Sequence, residues 1–213
     1  MSLLSRYKAL LQTHPIKSNI SSALVISFLG DIAAQYGEHS GLFGVKGGTE
    51  ERAHLAFSPN LHRTAEMNVW AVFGLTPLNM FQQGYIAQKL WPVWSPASVL
   101  KKTLMLVALT APNNATFFAF RSTYTAWRDH YFFGAAAPTR GGVREDFEKN
   151  IRTKLWPTVQ TSWSGWTLVN LFNFAVVPPA ARHLYTSTFA VIWMSYLSWK
   201  ANEKGGGEAE EEA

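Results

Sequence analysis

Residues 155–181 read LWPTVQTSWSGWTLVNLFNFAVVPPAA, and this stretch decides the fold. Between Lys154 and Arg182 there is no Asp, Glu, Lys or Arg. An uncharged run of roughly 27 residues exceeds the ~20 that a helix needs to cross a bilayer's hydrocarbon core. Trp156, Trp163 and Trp166 fall in its first half, and Pro178-Pro179 lie near its end. A proline pair rarely continues a helix, so the span is expected to close near Val177. A second apolar run, Leu184 to Trp199, follows almost at once. The pattern is two membrane helices joined by a Pro-Pro turn, and lipid is the expected solvent for most of the chain.

The composition agrees once charge position is considered. Mean hydropathy is near zero, but the charges gather in loops and tails rather than on helix faces. Trp, Tyr and Phe make up 14% of the 213 residues, and such aromatics favour membrane interfaces. There is no Cys, which excludes disulfides, thiolate metal sites and Cys nucleophiles. The net charge is +5, with Lys and Arg beside the hydrophobic runs, where they suit anionic lipid headgroups. No nucleic-acid-binding motif accompanies that charge. The six His do not cluster, and neither a nucleophile elbow nor a carboxylate pair at useful spacing is present. No enzyme, metal or cofactor is expected.

The remaining spans follow from charge-free runs. Met1 to Gln12 reads as a short basic amphipathic helix at the interface, with Leu3, Leu4, Tyr7, Leu10 and Leu11 at helical spacing. It lacks the length and cleavage site of a secretory signal. His14-Pro15 starts the first span, Ile16 to Tyr36. Its Ser residues, Gly30-Asp31 and Gln35 make it polar, so it should pack among other helices. Asp31 has two readings: a functional carboxylate at membrane depth, or a structural ion pair near the helix end. Gly37 to Asn60 reads as a Gly-rich loop. Within it, Gly47-Gly48 lacks the features of a phosphate loop, and His54 with His62 beyond it lacks metal-ligand spacing.

Arg63 opens the second span, in which Gly74 and Thr76-Pro77 predict a kink or a tight contact. Gln82-Gln83 should face protein or water. Lys101-Lys102 open the third, Thr103 to Phe120, which Pro112 with Asn113-Asn114 is expected to interrupt. These two Asn amides either line a hydrated path or cap a broken helix, because they cannot face lipid cheaply. Arg121, Trp127 and Arg128 read as interfacial anchors closing the span, and Asp129 to Gly142 as a loop. Val143 to Lys154 is a charged amphipathic surface helix, with Phe147, Ile151 and Leu155 on its apolar face. The domain division is one membrane domain over 1–204 and an acidic tail, 205–213, expected to be disordered.

These residues carry a resemblance. The ordered string Trp163, Trp166, Asn173-Phe174, Val177-Pro178, Arg182, Trp193 and Tyr196-Leu197-Ser198 resembles the ending of the Mpv-seventeen / twenty-two-kilodalton peroxisomal membrane protein family. Tyr7, Leu11, His14-Pro15, Gly30-Asp31, Gln35 and Arg63-Thr64 match its N-terminal pattern, and Lys101 or Lys102 with Pro112 its third span. The middle departs from the family. Glu66 stands where a second basic residue is expected, Thr76 replaces a Gly, and Met80 and Gln82-Gln83 replace a His and a Trp-Tyr pair. Leu106-Val107 replaces Asp-Gln, and Thr167 and Asn170 replace a Pro and a Gln.

The resemblance implies an all-α, polytopic membrane bundle of about four to five spans with short interfacial helices. It places the chain in the mitochondrial inner membrane, with the peroxisomal membrane as the alternative. It implies a channel-like, solute-passing protein supporting membrane and mitochondrial DNA homeostasis. The other reading is an accessory subunit of a large inner-membrane respiratory complex. Expected partners are membrane lipids, a second copy of the chain, or such a complex. The candidate charge and pore residues are Asp31, Arg63, Lys102, Asn113, Asn114 and Arg182, with Asp31, Arg63 and Arg182 the charges expected to pair or gate.

Overall fold

A computed structural model describes residues 6, 9–10, 13–41, 57–178 and 182–202. Most of the expected interfacial helix at 1–12, the loop features at 47–56 including His54, Pro179 and the acidic tail lie outside the described residues.

Every element among the described residues is helical. Five helices follow in order: α1 (Pro15–His39), α2 (61–90), α3 (Pro96–Phe133), α4 (140–175) and α5 (Arg182–Asn202). Their ends are encoded locally. Pro15 occupies the first turn of α1, where its missing N–H is not needed. Asn60 caps α2 by accepting a hydrogen bond from the Arg63 amide at 3.1 Å. Ser95 and Ser98 form a reciprocal capping box before α3. Thr139 accepts from the Gly142 amide at the start of α4. Gly134 ends α3 at φ 66°, the left-handed conformation that closes many helices.

Short connections make α2 to α5 successively antiparallel, and cross-helix contacts follow that register. Asp31 meets Arg63, Gln82 meets Asn113, Ser122 meets Asn150, and Trp166 meets Trp193. The ring then closes, because α5 packs extensively along α1 in parallel. The closest approach is at Gly30, where an added Cβ would lie 2.7 Å from Met194 Cβ and 3.0 Å from the Val191 carbonyl oxygen. Only a residue without a side chain lets these two backbones come so near.

The bundle's outer face is apolar, and its polar side chains turn inward among a buried apolar cluster. On α1, Ser27, Asp31 and Gln35 are buried at i, i+4, i+8, while Leu24, Val25, Phe28 and Leu29 are exposed. Leu100 and Leu104 of α3, and Leu168, Leu171 and Phe172 of α4, are likewise exposed. A water-soluble helix shows the reverse pattern. Among the described residues, Ile16–His39 and Pro96–Phe133 each meet the length and hydropathy of a membrane span. Trp156–Ala175, the stretch that decides the sequence reading, is not one of these, because Trp, Asn, Ser and Thr keep it free of charge without making it strongly apolar.

Several boundaries differ from the sequence reading. Helix α1 runs on to His39, into the expected loop. Pro112 does not interrupt α3, which continues unbroken for 38 residues. At 1.5 Å per residue it is about 57 Å long, well beyond the ~30 Å hydrocarbon core. The expected loop from Asp129 shrinks to residues 134–139, and Arg121 and Arg128 lie within the helix rather than at its end. Helix α4 joins the expected surface helix and the following span without a break, and Phe147, Ile151 and Leu155 pack onto the core.

Pro77 and Pro157 are accommodated differently from Pro112. Each follows a π-helical turn, Ala71–Leu75 and Ile151–Leu155. Shifting the hydrogen bonds to i→i+5 there absorbs the donor that proline lacks. Thr76 Oγ1 donates to the Ala71 carbonyl at 2.7 Å, and Thr158 Oγ1 to that of Lys154 at 2.7 Å.

Candidate functional site

The interior of the ring is layered along its axis. At one end, where α1 and α5 finish and α2 begins, Asp31 is fully buried and accepts four hydrogen bonds. Arg63 Nε (3.1 Å) and the Ser198 hydroxyl reach Oδ1, while Gln35 Nε2 (2.7 Å) and Thr64 Oγ1 (2.6 Å) reach Oδ2. Arg63 also pairs fork-to-fork with Glu38, at 2.7 and 2.8 Å. Gln35 Oε1 accepts from the Asn60 amide at 2.6 Å, which fixes the entry of the chain into α2. The carboxylate's lone pairs are fully engaged, the condition under which a charge survives burial.

A second ion cluster lies one turn further along α2. Glu66 is buried and faces Arg121 Nε at 3.1 Å and Arg128 Nη1 at 3.7 Å, both from α3. Arg128 reaches on to Asp129 at 2.6 Å. The sequence marked Glu66 only as a departure, without assigning it a role.

Below the ions sits an apolar plug. Met67 and Trp70 of α2, Phe117 and Phe118 of α3, and Met194 and Leu197 of α5 form one buried cluster. Trp70 lies 5.4 Å from the rings of both Phe117 and Phe120, ordinary aromatic packing.

Beyond the plug the interior opens into a cavity of about 540 Å³. Every helix contributes to its wall: Asn19 from α1, Gln82 from α2, Asn113 and Asn114 from α3, Asn170 and Asn173 from α4, and Thr186 from α5, among others. Gln82 and Asn113 exchange amide hydrogen bonds at 2.9 and 3.0 Å. Asn114 Nδ2 donates to the Thr110 carbonyl at 3.0 Å. Of the two readings of Asn113-Asn114, the broken helix is ruled out; both amides face the cavity.

Arg182 and Lys102 stand at the far end. Arg182 donates to the carbonyls of Val177 (3.1 Å) and Phe174 (3.4 Å), closing the end of α4. Its guanidinium lies 5.6 Å from the Phe174 ring, and the Lys102 ammonium 5.8 Å from the same ring. Ser198 and Arg182 are separated by about 24 Å along α5 at 1.5 Å per residue. Arg182 is therefore remote from Asp31, and among the described residues Arg63 is the cation at that carboxylate.

The other motif residues knit α4 to its neighbours. Trp163 Nε1 donates to the Val107 carbonyl at 3.1 Å. Trp166 meets Trp193 edge-on, and Tyr196 stacks on Trp193 while its hydroxyl donates to Thr161 Oγ1 at 3.2 Å. His14 caps α1 without a side-chain bond, and Pro178 follows the end of α4. Exposed His62 packs on Phe132 and Phe133. Among the described residues no group of His, Asp and Glu is arranged to hold a metal ion.

A ring of helices with an apolar exterior, buried ion clusters and a polar cavity defines a small α-helical membrane protein. The Mpv17 / PMP22 family matches over residues 139–198. Protein sym-1 of Neurospora crassa is 30% identical over 200 residues, covering 92% of this chain and 98% of that protein. Peroxisomal membrane protein 2 of Bos taurus is 22% identical over 196 residues, covering 92% and 87%. Protein SYM1 of Mycosarcoma maydis is 26% identical over 142 residues, covering 67% of this chain and 64% of its own. The chain belongs to the Mpv17/PMP22 family. No solved structure matches it.

Proposed function

We propose that this chain passes small solutes across a membrane, along a path through the cavity inside its ring of helices. The cavity itself carries the reading: about 540 Å³, to whose largely apolar wall each of the five helices adds Asn, Gln, Ser or Thr. Such a volume is in the range of small-molecule sites. The Met67–Trp70–Phe117 plug closes one end, so conduction requires a rotamer change there and the structure is a shut state. All five helices are taken to cross the bilayer, and α3 to project beyond it.

The mitochondrial inner membrane is the proposed site. The peroxisomal membrane is the alternative, suggested by the name of the bovine relative. Controlled leakage of solutes would support membrane homeostasis and, in a mitochondrion, the upkeep of its DNA.

The test is a flux assay on the purified chain in liposomes, using solutes of graded size. Release of small polar solutes, increased by Trp70→Ala, is the expected result. No release from either protein, together with stable co-migration in a very large complex from mild detergent, would replace this reading with that of an accessory subunit.

A further inference from the structure

Helices α1 and α2 are held together at the ionic end and part toward the other. Their packing is dense where α1 meets residues 61–70, lighter at 71–75 and slight at 76–79. The π-helical turns Ala71–Leu75 and Met80–Ile86, with Pro77 between them, lie where the two helices diverge. The wedge between them is a groove of about 720 Å³, walled by Ile16 and Ile20 of α1 and by Val72, Pro77, Phe81 and Tyr85 of α2, among others. It faces outward, since Ile16, Phe81 and Tyr85 are exposed.

The groove is apolar along its length and basic at its mouth. From Val72 to Tyr85 it follows α2 for about 20 Å at 1.5 Å per residue, roughly the depth of one leaflet. The Thr76 hydroxyl on its wall is already committed to the Ala71 carbonyl. The Phe81 and Tyr85 rings stack at 5.8 Å. One turn on, Lys89 Nζ donates to the Tyr85 hydroxyl at 3.1 Å and lies 5.2 Å from the ring centre. Across the mouth, exposed Lys17 directly follows Ile16. Each wall of the groove therefore ends in a lysine.

Nothing at that end balances them. Every Asp and Glu among the described residues stands at the ionic end, in the second half of α1, late in α3, or early in α2 and α4. The end where α1, α3 and α5 begin holds Lys17, Lys89, Lys101, Lys102 and Arg182, and no acid among the described residues. None of the described ion pairs includes Lys17 or Lys89.

We propose that the groove between α1 and α2 is a binding site for an anionic phospholipid. One acyl chain lies between Ile20 and Val72, and the phosphate-bearing headgroup sits between Lys17 and Lys89. Surrounding lipid is as apolar as the groove wall, so burial alone selects no lipid. The wall fixes the position of the chain by contact, and the two lysines choose the headgroup by charge. The amphipathic Tyr85 ring, apolar below and hydrogen-bonded above, marks the boundary between the two. The site lies on the outer surface, and its occupancy can be measured without any solute flux.

The experiment uses the full chain in neutral detergent and counts retained lipids by native mass spectrometry during titration. The probes are phosphatidylglycerol and phosphatidylcholine with identical chains. The expected result is one tightly held lipid per chain, with phosphatidylglycerol preferred roughly thirtyfold and roughly fivefold lost in each of Lys17→Gln and Lys89→Gln. Val72→Phe fills the groove at depth and should weaken both lipids while keeping their ratio. Ile16→Trp, at an exposed position on the opposite wall, is the second filler and should act alike. Equal affinity for the two lipids overturns the proposal, as does binding insensitive to both fillers. An equal loss in Lys101→Gln, a cation of the same end outside the groove, would show a diffuse field instead of a site. A dimer that lipid does not displace, lost in Val72→Phe, would put a second copy of the chain in the groove and equally overturn it.

Discussion

Arg63 Nε lies 3.1 Å from Asp31 Oδ1, across a sequence separation of 32 residues and inside a bundle whose outer face is apolar. The pair joins the end of α1 to the start of α2, and Ser198 adds the end of α5. Removing Arg63 leaves the fully buried Asp31 charged and unmatched, a cost of about 3–5 kcal/mol, whereas removing Asp31 leaves Arg63 its part-exposed partner Glu38. Arg63→Gln should therefore lower the thermal midpoint of the detergent-solubilised protein strongly, and Asp31→Asn by less. The double variant should lose clearly less than the sum, because no lone charge remains at the buried Asp31 position and only the part-exposed Glu38 loses its cation. Additive losses in the double-mutant cycle would show that Asp31 and Arg63 act independently.

Glu66 makes the corresponding link between α2 and α3, and its sign is specified by Arg121 and Arg128. Glu66→Arg places three guanidiniums together in the interior and should prevent accumulation of folded protein. Adding Arg121→Glu restores an opposite-charge neighbour and should return membrane-extractable, monodisperse material. Glu66→Gln keeps the shape and some hydrogen bonding, so a loss of about 1–3 kcal/mol is expected. Size-exclusion profiles and thermal midpoints of the three variants check the ordering.

The limits of sequence reading show at these same residues. Asp31 and Arg63 stand out because they interrupt apolar runs, but their partnership depends on the antiparallel register of α1 and α2, which no local signal states. Glu66 and Asn170 were visible only as departures from a family pattern. Arg121 and Arg128 read as interfacial anchors because charges near the end of an apolar run usually are. The partner that draws them inward sits on another helix. Pro112 reads as a break by its own chemistry, yet α3 passes through it unbroken. The wider turns before Pro77 and Pro157 likewise have no sequence signature. The all-helical class, the end of α4 just before Pro178 and the apolar face of the charged helix at 143–154 were legible, since each rests on local composition or spacing.

The contact of Gly30 with Met194 gives a prediction about packing alone. An added methyl would lie 2.7 Å from Met194 Cβ, an atom fixed to the α5 backbone rather than the tip of a flexible chain. Helices α1 and α5 must therefore separate, at about 1–3 kcal/mol. Gly30→Ala should lower the thermal midpoint accordingly. An unchanged midpoint in Gly30→Ala would mean that the two helices do not approach as described.

The charged face of α4 supplies the pH dependence outside the membrane. Glu148 accepts from Arg144 Nε at 2.7 Å, and that hydrogen bond, aided by the guanidinium charge, holds the Glu148 carboxyl below its ordinary range. Arg144 is correspondingly raised, which matters only above its already very high value. A carboxyl whose folded pKa is depressed contributes stability that is fully present above its unfolded pKa. That contribution disappears as pH falls through the folded value. Both side chains are exposed, so the effect is small and screened by salt. A thermal-midpoint series from pH 7 down to pH 3 should fall slightly less steeply for Glu148→Gln than for the parent chain. The difference should shrink at high ionic strength. A difference that persists in high salt would point to a hydrogen-bonded role for Glu148 rather than a Coulombic one.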